Sequence, residues 1–168
     1  MQTLSSRGRE TERLALLASV HLSTESEPRF NELIELAAFV AHTPMAGITI
    51  IEAETAWFKA SLGFSPEPVD RLSVPCNLVA QEACPLVITD IAEDERFADS
   101  SAIAQLGMRF YAGFPLLVDD GIAVGTLCVL DRRPRRLLSD ERHALQVIAG
   151  QAATQLRVNR LKALLSTC

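Results

Sequence analysis

The sequence predicts an α+β fold: one central twisted antiparallel sheet, N- and C-terminal helices on one face, and an irregular segment on the other. Three observations point there. Apolar, β-type runs occur in two pairs, each joined by an acidic turn, and no regular βαβ alternation appears. Long helical periodicities sit at the two ends of the chain. Between the pairs lies an irregular stretch, residues 62–106, of a kind that in a compact domain usually has a task.

Leu14, Leu17 and Ala18 put an apolar stripe on a first helix over about residues 7–21. Residues 1–10 read as an N-terminal extension and residues 11–168 as a single domain. In the second helix Phe30, Leu33, Ile34, Ala37, Ala38 and Ala41 follow the i, i+3, i+4, i+7 pattern of one buried face. Ser26, Glu27 and Pro28 mark its start, and Thr43-Pro44 its end.

Residues 45–51 and 56–61, separated by Glu52-Ala53-Glu54-Thr55, read as a first hairpin. Gly63, Pro66 and Pro68 then open a loop. Residues 78–83 suit a short helix, 85–88 a short strand, and 102–106 a helical turn. The second hairpin pairs Gly107 to Leu116 with Gly125 to Arg135 about the turn Asp119-Asp120-Gly121. Ala112, Gly113 and Gly125 stand inside strands where bulk is expected, so something packs close to the backbone there.

The last element is a long helix, about residues 140–165. Ser139 reads as its N-cap, and Asp140 and Glu141 suit the positive end of its dipole. Leu145, Ile148, Ala149, Ala152 and Leu156 form its apolar stripe. Such a helix is more than twice the usual length of about 11–12 residues.

Composition narrows the function. At 168 residues and 48% apolar content, the chain has enough material for one sizeable core. It has neither a secretory h-region nor an apolar window of about 18 residues. It is therefore expected to be cytoplasmic, with no membrane association, and Cys76, Cys84, Cys128 and Cys168 are expected to be thiols. A net charge of −5 argues against a nucleic-acid partner.

Catalytic patterns are thin. His21, His42 and His143 fall on or at the ends of predicted helices, away from the irregular segment, so no triad is expected. The cluster Asp90, Glu93, Asp94 and Glu95 fits no EF-hand spacing and reads as a solvated loop; no metal is expected. Glycine-rich phosphate loops are missing. The arginines of 132–136 read as turn cover or salt-bridge donors. Cys76, just before the predicted short helix, is the one cysteine whose setting suits a reactive thiolate. A buried Cys128 is expected to act as a small hydrophobe.

The segments Pro44 to Ile51, Trp57-Phe58-Lys59-Ala60, Cys76, Pro85 to Asp90, Arg96-Phe97-Ala98-Asp99, Arg109 to Gly113 and Gly125-Thr126-Leu127 together resemble bacterial GAF domains. The resemblance covers about residues 11–160. It implies a GAF/PAS-like fold and a role in sensing or regulation, commonly beside a signalling effector domain. Relatives that bind bilin covalently carry Cys followed by His, and none of these cysteines has that neighbour. The cyclic-nucleotide constellation Asn-Lys-Phe-Asp-Glu is absent. Many relatives continue from the cysteine with Ala-His, where this chain has Asn77 and Leu78. Free methionine sulfoxide reductases share the fold, but Ala104 stands where their catalytic cysteine is placed.

The resemblance therefore implies a non-catalytic module that senses an unidentified small molecule in a cleft walled by Trp57, Cys76, Phe97, Phe110, Tyr111 and Cys128. Coupling to the terminal helices is expected. The long helix, with Leu145, Ile148, Ala152 and Leu156 available as a seam, implies a parallel or bundled homodimer, with some of that stripe covering the chain's own sheet and only part free for a partner. Two alternatives stay open: a ligand-free dimerisation domain, and a thiol-dependent reductase using Cys76 with Cys84 or Cys128.

Overall fold

A computed structural model describes residues 2–167 of the chain. Helices α1 (Gln2–Val20) and α2 (Pro28–Ala41) precede strands β1 (Met45–Ile51), β2 (Thr55–Leu62) and β3 (Val69–Asp70). The pocket-side segment follows, with α3 (Cys76–Glu82), β4 (Leu86–Ile88) and α4 (Ser101–Leu106). Strands β5 (Phe110–Asp119) and β6 (Ile122–Asp131) and helix α5 (Ser139–Ser166) complete the domain. The strands form one six-stranded sheet in the order β3-β2-β1-β6-β5-β4, every neighbouring pair antiparallel.

Several boundaries differ from the sequence reading for local reasons. Helix α1 begins at Gln2, so residues 2–10 are helical, and Glu10 is tied into the domain by Arg71. Helix α3 begins at Cys76 rather than at 78, because Pro75 already holds a helical φ of −61°. Strand β3 lies within the predicted loop and pairs with Thr55 and Ala56. Ser139 is the first helical residue of α5, not its cap. The Glu141 carboxylate instead accepts a hydrogen bond from the Leu138 N–H at 2.9 Å. Ser26 likewise caps nothing in α2; its hydroxyl accepts from the Asn31 amide.

The β5–β6 turn follows from two residues. Asp120 and Gly121 have φ of +42° and +73°, the pair of positive values that a type I′ hairpin turn requires. Register shifts in the ladders then reorient side chains. Along β6, Thr126 opposes Pro115 while Ala123 opposes Leu117, so β6 carries one extra residue around Gly125. Along β2, Phe58 opposes Thr49 while Ala60 opposes Ile48, which leaves Lys59 as the extra residue. Its side chain is fully buried, and its ammonium is held by the Ser23 and Glu25 carbonyls and the Glu27 carboxylate.

The sheet separates two cores. On the helix side, Phe30 and Ile34 of α2 and Leu145, Ile148, Ala152 and Leu156 of α5 pack on Ile48, Ile50, Phe110, Phe114 and Leu127. The expected dimer seam is thus consumed by the chain's own sheet, because the widest apolar stripe of a sheet-backed helix covers that sheet. The apolar residues that α5 leaves exposed are Val147, Leu161, Leu164 and Leu165. On the other face Val74, Val79, Ala80, Ile91, Ile103 and Met108 close over Met45, Ile51, Ala123 and Leu130.

Ser100 anchors this cover. Its hydroxyl accepts from the Ile103 N–H at the start of α4 and donates to the Ser73 carbonyl at 2.7 Å. Ser100→Ala is expected to lower stability by about 1 kcal/mol, the usual worth of an N-cap, read as a shifted urea midpoint at unchanged slope.

Candidate functional site

Four of the six sequence-predicted cleft residues meet, and two do not. Cys76, Phe97, Tyr111 and Cys128 all lie in the pocket-side core. Phe110 lies in the helix-side core and Trp57 packs against that core, its indole N–H donating to Glu52 at 3.2 Å. The reason is strand alternation: adjacent Phe110 and Tyr111 cannot face the same side. Trp57 pairs with Ile50, a helix-side residue, and shares its face.

The residues of the expected cleft that meet are closed off from solvent. Cys76, Phe97, Tyr111 and Cys128 are at most 5% exposed and are packed among their apolar neighbours. A cavity of about 830 Å³ lies elsewhere, between α1, the end of α3 and the β5–β6 turn. Arg9, Glu12, Glu82 and Asp120 line it, and none of the expected wall residues does.

At the centre of the pocket-side core is a polar group that the sequence reading only partly named. The Tyr111 hydroxyl donates to Cys76 Sγ at 3.1 Å, and the Thr49 hydroxyl lies 3.3 Å from the same sulfur and 4.0 Å from Cys128 Sγ. Thr126 donates to the Cys76 carbonyl at 3.1 Å. The small residues of the second hairpin make this possible. A Cβ on Gly113 would sit 2.2 Å from the Tyr111 hydroxyl, so the glycine leaves the bed in which the phenol lies. Gly125 brings the β6 backbone against the Thr49 carbonyl. The expectation of close packing at these glycines is met by two different neighbours.

The sulfurs differ in their acidity. Burial opposes charge on Cys76, but hydrogen bonding from Cys128, Thr49, Tyr111 and its own backbone outweighs it and lowers the thiol pKa. Cys128 is raised by its hydrogen bond to Cys76 and by burial. Tyr111 is raised by burial and by the two facing sulfurs, so it remains a neutral donor. Cys84 is exposed, and Cys168 lies outside the described residues.

A second cluster was missed from the sequence. Arg71 is 5% exposed; its Nε donates to Asn77 Oδ1 at 2.6 Å, and its Nη1 reaches the Glu10 carboxylate and the Glu52 and Ala53 carbonyls. Arg13 holds the same carboxylate and donates to the Ile51 carbonyl at 2.8 Å. Partial burial alone would raise the Glu10 pKa, but the hydrogen bonds from Arg13 and Arg71 prevail and lower it to about 2. Asn77, the departure after the cysteine, is thus the acceptor that joins α3 to this network. No sequence signal distinguishes Arg71 from a surface arginine.

The remaining candidates are accounted for by local pairing. Asp90 takes two hydrogen bonds from Arg109, and Asp94 two from the Arg96 side chain. Arg133 and Arg135 pair with Asp131. His21 and His42 stand just beyond α1 and α2 with positive φ, and His143 is exposed on α5. No helix among the described residues is long and apolar enough to cross a membrane.

Comparison with known proteins agrees with this architecture. The profile of the GAF domain family matches residues 11–156. Over 112 residues, 66% of this chain, the sequence is 33% identical to a cyclic di-GMP phosphodiesterase of Pseudomonas aeruginosa, of which it spans 19% of the length. The blue-light absorbing form of the PixJ GAF domain from Thermosynechococcus elongatus has a similar fold, with a TM-score of 0.65 and 15% identity over 95% of this chain and 92% of that one. So does a domain of a two-component sensor histidine kinase protein from Sinorhizobium meliloti, with a TM-score of 0.62 and 19% identity over 83% and 95%. The chain belongs to the GAF domain family.

Proposed function

We propose that this GAF domain is a non-catalytic, cytoplasmic regulatory module in signal transduction, in which a small molecule taken up on the pocket side is coupled to the terminal helices. The observation that carries the reading is the bridge from α3 to α1 through Asn77, Arg71 and Glu10. It is a direct side-chain path, so a displacement of the first turn of α3 reaches α1 through Arg71. A ligand acts through it only by binding the two positions of α3 unequally. Since the cleft residues are closed off from solvent, binding must displace the cover. Hydrogen exchange tests this: ligand addition is expected to change protection in both α3 and α1, and in α3 alone in Arg71→Lys. Changes confined to α3 in the unsubstituted protein would refute the coupling.

The closed core favours a second reading, a ligand-free dimerisation domain. A native mass spectrum without a retained small molecule, together with no thermal shift across a metabolite panel, would select it.

Both readings include a homodimer, with the seam moved from the sheet-facing stripe to the opposite face of α5. Val147, Val158, Leu161 and Leu165 fall on the line 147, 151, 154, 158, 161, 165, the alternating steps of four and three of a coiled-coil seam, with Gln151 and Thr154 its polar members. Light scattering is expected to report a dimer, and Leu161→Glu with Leu165→Glu a monomer. A wild-type monomer at high concentration removes the seam.

A further inference from the structure

The polar group between sheet and cover holds two thiols where an apolar core needs none. Cys76 opens α3 and Cys128 lies on β6, and the Thr49 hydroxyl is within 3.3 Å of one sulfur and 4.0 Å of the other. The Tyr111 hydroxyl donates to Cys76 Sγ at 3.1 Å. Two hydroxyls thus converge on a single sulfur, each placed to donate to a thiolate there, with a second thiol beside it.

We propose that Cys76 and Cys128 form a peroxide-oxidisable dithiol, in which Cys76 attacks the oxidant and Cys128 resolves the product. The Cys76 thiolate attacks one oxygen of hydrogen peroxide. An S–O bond forms and the O–O bond breaks. The departing hydroxide takes a proton and leaves as water, and Cys76 becomes a sulfenic acid. The Cys128 sulfur then attacks the Cys76 sulfur; the S–S bond forms, the S–O bond breaks, and hydroxide leaves with the Cys128 proton as a second water. Two thiols lose two electrons and two protons, and one peroxide becomes two waters.

The lowered pKa of Cys76 suits the attacking role, since the thiolate is the nucleophile. Cys128, raised by its hydrogen bond to Cys76 and by burial, has to give up its proton as it attacks the sulfenic sulfur. Burial of both sulfurs at 3% and 1% exposure restricts the oxidant to a small hydroperoxide. A disulfide must bring the sulfurs to about 2.05 Å, which draws Cys76 from Thr49 and Tyr111 and shifts the first turn of α3. Asn77, the next residue, would carry that shift to Arg71. This last step alone rests on the coupling proposed above; the oxidation does not.

The test uses the whole chain with Cys84→Ser and Cys168→Ser, treated with hydrogen peroxide under native conditions. The expected product loses two hydrogen masses, and its peptide map links Cys76 to Cys128. In Cys128→Ala the reaction stops at a dimedone-trapped sulfenic acid on Cys76, and in Cys76→Ala the Cys128 thiol stays reduced. Tyr111→Phe removes one of the two hydroxyls at Cys76 Sγ and slows the oxidation. Thiols that remain reduced in the folded chain, or that react only after urea unfolding, overturn the proposal whatever the variants do. A disulfide that forms without altering exchange in α1 keeps the dithiol and refutes the coupling.

Discussion

Arg71→Ala is expected to lower stability by about 3 kcal/mol, near the lower end of the range for breaking a buried ion pair. The lower end applies because Glu10 keeps 30% of its side chain in water and Arg13 remains to hold it. The loss is still large, since the substitution strips a charged donor from Asn77 Oδ1 and from the Glu52 and Ala53 carbonyls. Arg71 Nη2 is itself buried without a partner, so the native guanidinium contributes less than its full hydrogen-bonding capacity. Arg71→Lys keeps the charge but loses the planar fork and is expected to recover less than half of the loss.

The pH profile distinguishes this network from plain packing. The Glu10 pKa is lowered in the folded state, so its contribution is complete above the ordinary carboxylate pKa near 4.5 and is lost as pH falls toward 2. Urea midpoints should fall across that window in the native chain and fall less in Arg71→Ala, where one of the two guanidinium partners is gone. Equal slopes for the two proteins would show that Arg71 does not hold the Glu10 charge.

Gly125→Ala is expected to cost about 3 kcal/mol, a high value for adding one methyl group. The new Cβ would lie 2.2 Å from the Thr49 carbonyl oxygen, a backbone atom in the neighbouring strand, and no rotamer change can relieve that contact. Strands β1 and β6 would have to separate at the centre of the sheet. Gly113→Ala is the informative contrast. Its Cβ meets the Tyr111 hydroxyl at the same 2.2 Å, with ring carbons Cζ and Cε1 at 2.7 and 2.9 Å, and all three atoms belong to a side chain, which can turn about χ1 where a backbone carbonyl cannot. Its expected cost is about 1 kcal/mol, with the phenol displaced from Cys76. Thermal denaturation of the two variants side by side decides whether fixed backbone or movable side chain sets the cost.

Both hairpins, the helices at the ends and the family were legible in the sequence, because period-2 and period-3.6 patterns and turn residues act over a few neighbours. Asp120-Gly121 could specify its turn alone, since only two positive φ values are needed. The site was legible in part. Cys76, Tyr111, Phe97 and Cys128 belong to one core, while Trp57 and Phe110 were assigned to it against the alternation that sends them to the other face.

What the sequence determined by itself was the main helices and the two hairpins, their order and the family, but not strand β3. Only the tertiary structure decided the rest: that the apolar stripe of α5 is used within the chain, that the expected cleft is closed to solvent, and that two threonines and a tyrosine gather on Cys76. It also decided that Arg71 and Asn77 join α3 to α1. The physical reason is separation along the chain. Tyr111 and Cys76 are 35 residues apart and Arg71 and Glu10 are 61 apart, so no local pattern records contacts that form only when the sheet and its two layers assemble.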